Sequence, residues 1–174
     1  MTTNLTKRDG RVGRMRATER GTYVFPVTSE APYRRYDGIE ILDHSEGAVD
    51  LTFMNSGSAP LLDSHNRYDG LAAQLGVVER AWLENKRVYV EVRFSNRAAA
   101  QEIKRDVDEG IISNVSGGYT IHEVVLNEDT EEYRVTKWTL KEASFVSIPA
   151  DETVGGSFFQ QTGGCYAQGQ SDAL

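Results

Sequence analysis

The chain has 174 residues, 39% of them hydrophobic and 26% charged, with a formal net charge of −7 at pH 7. This length suits one domain with a sizeable core, and no apolar stretch approaches the roughly 20 residues of a membrane-spanning helix. The acidic balance argues against a nucleic-acid-binding domain, because such a domain needs a clustered basic face.

The N-terminal segment differs in charge from the rest of the chain. Residues 1–20 carry six Lys or Arg and two acidic residues, a net charge of +4, which leaves −11 for the remaining residues. We interpret residues 1–21 as a basic, flexible arm. Residues 1–8 lack the apolar stretch of a secretory signal, and the single cysteine, Cys165, excludes an intrachain disulfide, so the sequence predicts an intracellular protein.

From Thr22 to about Ile148 the sequence predicts short strands separated by turn residues. Residues 87–94 alternate valine or phenylalanine with more polar residues, which is the period-two pattern of a strand with one buried face. Residues 75–83 predict a second strand, and the three residues between the two strands predict a hairpin turn. The other predicted strands are 22–27, 48–53, 111–116, 119–126, 133–140 and 143–148.

One segment, residues 96–109, predicts an α-helix. Ser95 or Asn96 is placed to cap its start, Ile103 and Val107 form an apolar face one turn apart, and a glycine follows its last residue. Many short strands with one helix indicate an α+β or mainly β domain, such as a β-barrel decorated with helices.

The C-terminal segment has a different composition. Residues 155–174 contain five Gly and four Gln, and Asp172 is their only charged residue. Such a segment has little means of burying a core, so we predict that residues 153–174 form a flexible tail or linker.

Ser116 is a candidate nucleophile. It ends a predicted strand and precedes Gly117 and Gly118. Serine needs a neighbouring base to become nucleophilic at neutral pH, and glycines permit close approach of a substrate while nearby amides stabilise an oxyanion. A β-bulge or turn that requires glycine explains the same residues, and both interpretations stay open here.

Three histidines are available as bases, because the imidazole pKa lies near neutral pH. His44 lies among polar residues and predicts a surface turn. His65 follows two leucines and opens a polar turn, so it is predicted to lie at a strand end, either as a catalytic base or as an exposed histidine without a role in catalysis. His122 lies in a strand pattern close in sequence to Ser116, where it is a residue of one strand face or a member of the site.

Glu142 is a candidate partner for a histidine. It lies in an apolar, strand-like stretch, and a carboxylate beside buried positions needs a partner. The alternative is an outward-facing charge on an edge strand.

A metal site can be drawn with Asp63, His65 and Asp69, but the spacing matches no strong ligand pattern. Cys165 lies in the Gly- and Gln-rich tail, without a rigid environment that would lower the pKa of its thiol. We therefore predict neither a metal nor a cofactor.

Three segments carry a family resemblance when they are taken together and in this order. They are residues 61–66 (Leu-Leu-Asp-Ser-His-Asn), residues 110–119 (Gly-Ile-Ile-Ser-Asn-Val-Ser-Gly-Gly-Tyr) and residues 140–144 (Leu-Lys-Glu-Ala-Ser), the last ahead of Pro149-Ala150. They resemble the motifs of the prohead (capsid maturation) proteases of tailed bacteriophages, distant relatives of the herpesvirus assemblins. Gly117 is a departure, because members of that family usually carry a bulkier apolar residue there.

The resemblance implies a herpesvirus-protease-like β-barrel surrounded by helices, over a protease domain at residues 22–152. It implies a serine endopeptidase that cuts the scaffolding segment from the major capsid protein, and cuts itself, inside the assembling prohead in the host cytoplasm. Neither nucleic acid nor membrane is an implied partner, and assemblins form dimers, so a homodimer or higher oligomer is expected. The alternative is a non-catalytic β-domain that binds capsid or scaffold.

The resemblance also implies roles for particular residues. Ser116 is the nucleophile, His65 is the base and Glu142 holds the imidazole, while amides around Gly117 and Gly118 bind the oxyanion. His122 is the rival of Glu142, because assemblins use a second histidine in that role.

Overall fold

The computed structural model describes residues 15–154. The α-helix α1 spans Ala98–Asp108 and a short 3₁₀ helix spans Gly70–Ala73. The strands are β1 (Arg16–Ala17), β2 (Tyr23–Ser29), β3 (Tyr33–Arg35), β4 (Gly38–Leu42), β5 (Val49–Asp50), β6 (Pro60–Asp63), β7 (Gln74–Glu84), β8 (Arg87–Phe94), β9 (Val115–Asn127) and β10 (Glu132–Phe145). Residues 1–14 of the predicted arm, the predicted tail from residue 155 and Cys165 lie outside the described residues.

One sheet contains all of these strands, in the order β1-β2-β8-β7-β6-β10-β4-β3, with β5 and β9 also paired to β10. Along one edge β10 is antiparallel to β9, and along the other it is parallel to β4, β5 and β6 in turn. The 14-residue β10 therefore joins segments that are far apart in the sequence.

The mainly β class is confirmed, but the predicted closed barrel is wrong. Closure requires a continuous ladder around the sheet. Here β1 pairs only with β2 and β3 only with β4, so the outer strands of the described sheet do not meet. The predicted surrounding helices are also not found within residues 15–154, where α1 is the one α-helix and packs against β7 and β8. No helix in this part of the chain is long and apolar enough to cross a membrane.

The core follows the alternation of the strands. The three valines of β8 are each 0% exposed, as the period-two pattern predicts. Phe25 and Phe145 meet with ring centroids 5.7 Å apart, and Phe94 stacks on Phe145 at the same separation. Burying one such side chain contributes about 1.5–3 kcal/mol, so the C-terminal end of β10 is anchored in the core.

Two long strands replace four predicted ones. β9 continues through the predicted break at Gly117 and Gly118, and β10 continues through the break predicted between residues 140 and 143. Both glycines lie within the ladder, opposite Ala143 and Glu142. The predicted strand 48–53 shortens to β5, because residues 52–57 form turns.

The helix is confirmed at 98–108, but its predicted cap is wrong. Arg97 occupies the N-cap position without a side-chain cap bond, and the Arg97 N–H donates to Ser95 Oγ at 3.2 Å outside the helix. At the other end, Gly110 has a φ of 76°, the left-handed conformation in which glycine ends a helix.

The last residues of the predicted arm belong to the fold. β1 pairs with β2, and Met15 is buried. Arg20 Nη2 lies 3.0 Å from Glu91 Oε1. The β1–β2 pairing and the burial of Met15 hold this segment on the sheet, and the ion pair of Arg20 with Glu91 adds a contact to β8.

His44 is buried, with 2% exposure, so the predicted surface turn is wrong. Its Nδ1 lies 2.9 Å from the carbonyl oxygen of Leu42, its Nε2 lies 2.9 Å from Thr28 Oγ1, and its ring meets the edge of Trp138. Both ring nitrogens are satisfied inside the protein, which allows a polar side chain in the core. Burial lowers the pKa of His44.

Candidate active site

The loop after β6 places His65 at the end of the sheet. Ser64 and His65 have positive φ values of 52° and 56°, a conformation that is uncommon for residues other than glycine and in which histidine is enriched. Two contacts with β10 hold it: Ser64 N–H donates to the Phe145 carbonyl at 2.8 Å, and His65 N–H donates to Ser144 Oγ at 3.2 Å. The left-handed loop is therefore fixed by β10.

The His65 ring contacts Glu142. Nδ1 lies 2.5 Å from Glu142 Oε1, where the Glu142 side chain is 2% exposed and the His65 side chain is 38% exposed. A buried carboxylate on Nδ1 selects the tautomer that carries its proton there, which leaves Nε2 as an acceptor. The predicted pairing of Glu142 with a histidine is thus seen in the geometry.

The other oxygen of the carboxylate is also bonded. Ser144 Oγ donates to Glu142 Oε2 at 2.6 Å, and Ser144 is 0% exposed. The motif Leu-x-Glu-apolar-Ser contains this serine, and the period of a strand places it on the same face as Glu142. The two-residue spacing of Glu142 and Ser144 is the sequence feature that could have placed Ser144 beside the carboxylate. No role for Ser144 is predicted from the sequence.

Ser116 lies opposite Ser144 in the β9–β10 ladder, and Gly118 lies opposite Glu142. Directly opposite residues share one face of a sheet, as do residues two apart, so Ser116 lies on the face that carries Glu142. Its hydroxyl makes no hydrogen bond within the described residues, His65 included. Ser116 is largely buried, with 8% exposure.

The two glycines after Ser116 have packing roles. A Cβ on Gly118 would lie 2.0 Å from Glu142 Oε1 and 3.0 Å from Arg67 Nη2, and one on Gly117 would lie 2.8 Å from Leu140 Cδ1. Gly118 therefore leaves the space that the carboxylate occupies. Arg67 also borders the space at Gly118, and the sequence did not predict this neighbour.

His122 lies elsewhere on β9. The Nε2 atom of His122 is 2.7 Å from Thr139 Oγ1, and His122 is exposed. The imidazole of His65 has Glu142, rather than His122, at Nδ1. Of the two rivals, only Glu142 contacts the candidate base.

A small cavity of about 40 Å³ lies beside Ser116 and Gly117. Its wall includes Leu42, Tyr119 and Asp151, with apolar residues in the majority. Burial raises the pKa of Tyr119, and the hydrogen-bonded Glu40 carboxylate raises it further, so this phenol stays protonated as a donor. Among the described residues no group of His, Cys, Asp and Glu is arranged to hold a metal ion.

Comparison with known proteins identifies the family. Residues 42–157, two thirds of the chain, match the family described as caudovirus prohead serine protease. The chain belongs to this family. The predicted resemblance to phage prohead proteases is thereby confirmed, and the match includes the His65 loop, β9 and β10.

This prohead serine protease family member also resembles a capsid protein. The major capsid protein of Halomonas phage phiHAP-1 is 52% identical over 133 residues, which cover 74% of this chain and 22% of that protein. The chain therefore spans about a fifth of the length of this relative. No solved structure gives a significant match.

Proposed function

We propose that the protein is a serine endopeptidase with Ser116 as nucleophile, His65 as base and Glu142 as the residue that orients the base. The single observation that carries the proposal is the contact between His65 Nδ1 and the buried Glu142 Oε1, on the sheet face that presents Ser116. The family match supports the same reaction class. Ser116 and His65 share no hydrogen bond among the described residues, and the hydrogen bonds of unliganded sites often form or tighten only when substrate binds.

In the proposed reaction His65 Nε2 removes the proton of the Ser116 hydroxyl as its oxygen attacks the scissile carbonyl. Glu142 stabilises the imidazolium that forms. His65 then gives the proton to the leaving amine, the C–N bond breaks, and an ester remains on Ser116. Water hydrolyses that ester with His65 again as base. Backbone amides around Gly117 and Gly118 are our candidates for the oxyanion donors.

The proposed substrate is the scaffolding segment of the major capsid protein. The family name and the relative that is a major capsid protein both support a capsid polypeptide as partner. We propose that cleavage occurs inside the assembling prohead in the host cytoplasm, by a homodimer or a higher oligomer. Residues 22–152 are the proposed catalytic domain, and the segment 153–174 is proposed as a linker or a site of self-cleavage.

A second candidate is a non-catalytic β-domain that binds capsid or scaffold. The observation that favours it is the 52% identity to a protein named as a major capsid protein. In that case Ser116 and His65 serve the structure only.

A serine-directed fluorophosphonate separates the two candidates. Intact-mass measurement of the wild type is expected to show one adduct, which Ser116→Ala abolishes and His65→Ala reduces strongly. Absence of an adduct on the wild type would favour the binding domain. Co-expression with a capsid precursor then tests the substrate: the precursor is expected to be cut by the wild type and to stay intact with Ser116→Ala.

Self-cleavage has its own test. The wild type and Ser116→Ala are incubated for the same long period and their masses compared. A shortened wild-type chain beside a full-length variant is expected, and equal masses would count against self-cleavage.

A further inference from the structure

We propose that Ser144 is a positioning residue for the serine endopeptidase proposed above, on which this inference rests. Its hydroxyl fixes the Glu142 carboxylate and the backbone of His65 at the same time. Ser144 touches no reacting atom, so its role is exerted through these two residues.

The hydrogen bonds of Ser144 form a closed ring. A serine hydroxyl has one proton to donate and lone pairs to accept with. Ser144 donates to Glu142 Oε2 at 2.6 Å and accepts from the His65 N–H at 3.2 Å, while Glu142 Oε1 lies 2.5 Å from His65 Nδ1. His65 is thus held at its backbone and at its ring by one serine–carboxylate unit.

The ring of bonds limits rotation in both partners. The terminal torsion of a glutamate is broad and poorly defined by itself, but here both carboxylate oxygens have separate partners. The backbone of His65 is held in its left-handed conformation, with φ of 56°, by the bond to Ser144. Because Ser144 is 0% exposed, water does not replace the hydroxyl while the fold is intact.

This arrangement fixes which nitrogen of His65 carries the proton. With Glu142 aimed at Nδ1, Nε2 is left as the acceptor for the Ser116 proton. Without Ser144, one carboxylate oxygen would lose its buried donor, and the group would turn toward another partner. A purely structural serine would stabilise the fold without changing the tautomer of His65.

The experiment reads the tautomer of His65 directly. The full chain is labelled with ¹⁵N-histidine, and the ring nitrogens are observed by NMR in the wild type and in Ser144→Ala, with His65→Gln to assign the signals. Thr139→Val is the matched control, because it removes a buried hydroxyl of β10 that bonds to His122 instead of to the site. The rate of fluorophosphonate labelling at Ser116 is measured on the same samples.

The wild type is expected to show the Nδ1-protonated form of His65. Ser144→Ala is expected to shift the tautomer ratio and to slow labelling about 10- to 100-fold, the usual effect of one hydrogen bond to a charged group, whereas Thr139→Val changes neither. A folded Ser144→Ala variant with the wild-type tautomer and labelling rate would overturn the proposal.

Two further outcomes are decisive. If Ser144→Ala does not fold, Ser144→Cys takes its place, because the cysteine thiol keeps a weak hydrogen-bond donor. This variant is expected to fold and to give an intermediate tautomer ratio of His65. If it does not fold, the proposal is overturned, because the Ser144 hydroxyl then serves the stability of the fold. If the wild type shows no labelling while Ser144→Ala still shifts the tautomer, the placement of His65 by Ser144 stands and the endopeptidase proposal fails.

Discussion

Gly118 lies directly opposite Glu142 in the ladder between β9 and β10, and a Cβ on Gly118 would lie 2.0 Å from the carboxylate oxygen that contacts His65. The Glu142 side chain is 2% exposed and bonded at both oxygens. A Cβ on Gly118 would push this carboxylate away from its present partners. The lack of a side chain at Gly118 therefore leaves the space in which the Glu142 carboxylate lies.

We predict that Gly118→Ala displaces the Glu142 carboxylate and greatly slows fluorophosphonate labelling of Ser116. Gly76→Ala is the matched control, because its Cβ would meet the carbonyl oxygen of Arg93 on β8 instead of the site. That variant is expected to lose about 1–3 kcal/mol of stability through overpacking, with labelling largely retained. Labelling rates and urea unfolding of both variants test the distinction, and equal labelling by the two would contradict it.

We predict that Glu142→Gln costs far more activity than His122→Ala. Only Glu142 contacts the candidate base, and replacing the equivalent carboxylate by an amide costs on the order of 10⁴-fold in a Ser-His-Asp protease because the wrong tautomer results. Cleavage of a co-expressed capsid precursor, quantified for both variants, is the measurement. The reverse ranking would give the third role to His122.

We predict that Glu91→Gln destabilises the fold. Glu91 is 2% exposed and bonds to Arg20, Arg80 and Thr22. The two arginine side chains are 77% and 57% exposed and regain water, so the expected loss is about 1–3 kcal/mol. Urea unfolding at pH 7 measures it. The control is Glu79→Gln, since its pair with Arg93 is exposed and is expected to contribute under about 1 kcal/mol.

We predict that His44 makes the fold less stable in mild acid. Burial lowers the pKa of His44 in the folded state, whereas the unfolded chain has the ordinary value near 6.5. The unfolded state therefore binds the proton more readily, and stability is lost as the pH falls from about 6.5 through the lower folded pKa. Urea unfolding between pH 5 and pH 8 is the measurement, with His44→Gln expected to flatten the slope. An unchanged slope in that variant would assign the effect to other groups.

Local features of this chain could be predicted from the sequence better than the closure of the sheet. The period-two pattern of residues 87–94 predicts β8. The motifs around His65 and Glu142 predict that a histidine pairs with a carboxylate. These features depend on local spacing and on side-chain chemistry. The closed barrel was wrong because closure depends on which outer strands meet, and no local pattern records this.

The glycines show the other limit. The sequence predicts a break between strands at Gly117 and Gly118, but both lie inside a 13-residue strand whose neighbours occupy the space of their missing side chains. The surface turn predicted at His44 is wrong for a related reason, since the buried position of His44 depends on Thr28 and Trp138, which reach it only when other strands pack against it. Such contacts between distant segments are absent from any single stretch of sequence.

β10 is the last of the described strands to be synthesised, and each contact that assembles the site has a partner in it. A growing chain that has left the ribosome only as far as β9 contains His65 and Ser116 but lacks the strand that pairs with both β6 and β9. Under the proposed function, proteolysis therefore begins only after the whole domain has been made. A nascent chain that still lacks β10 would therefore be unable to cut neighbouring proteins.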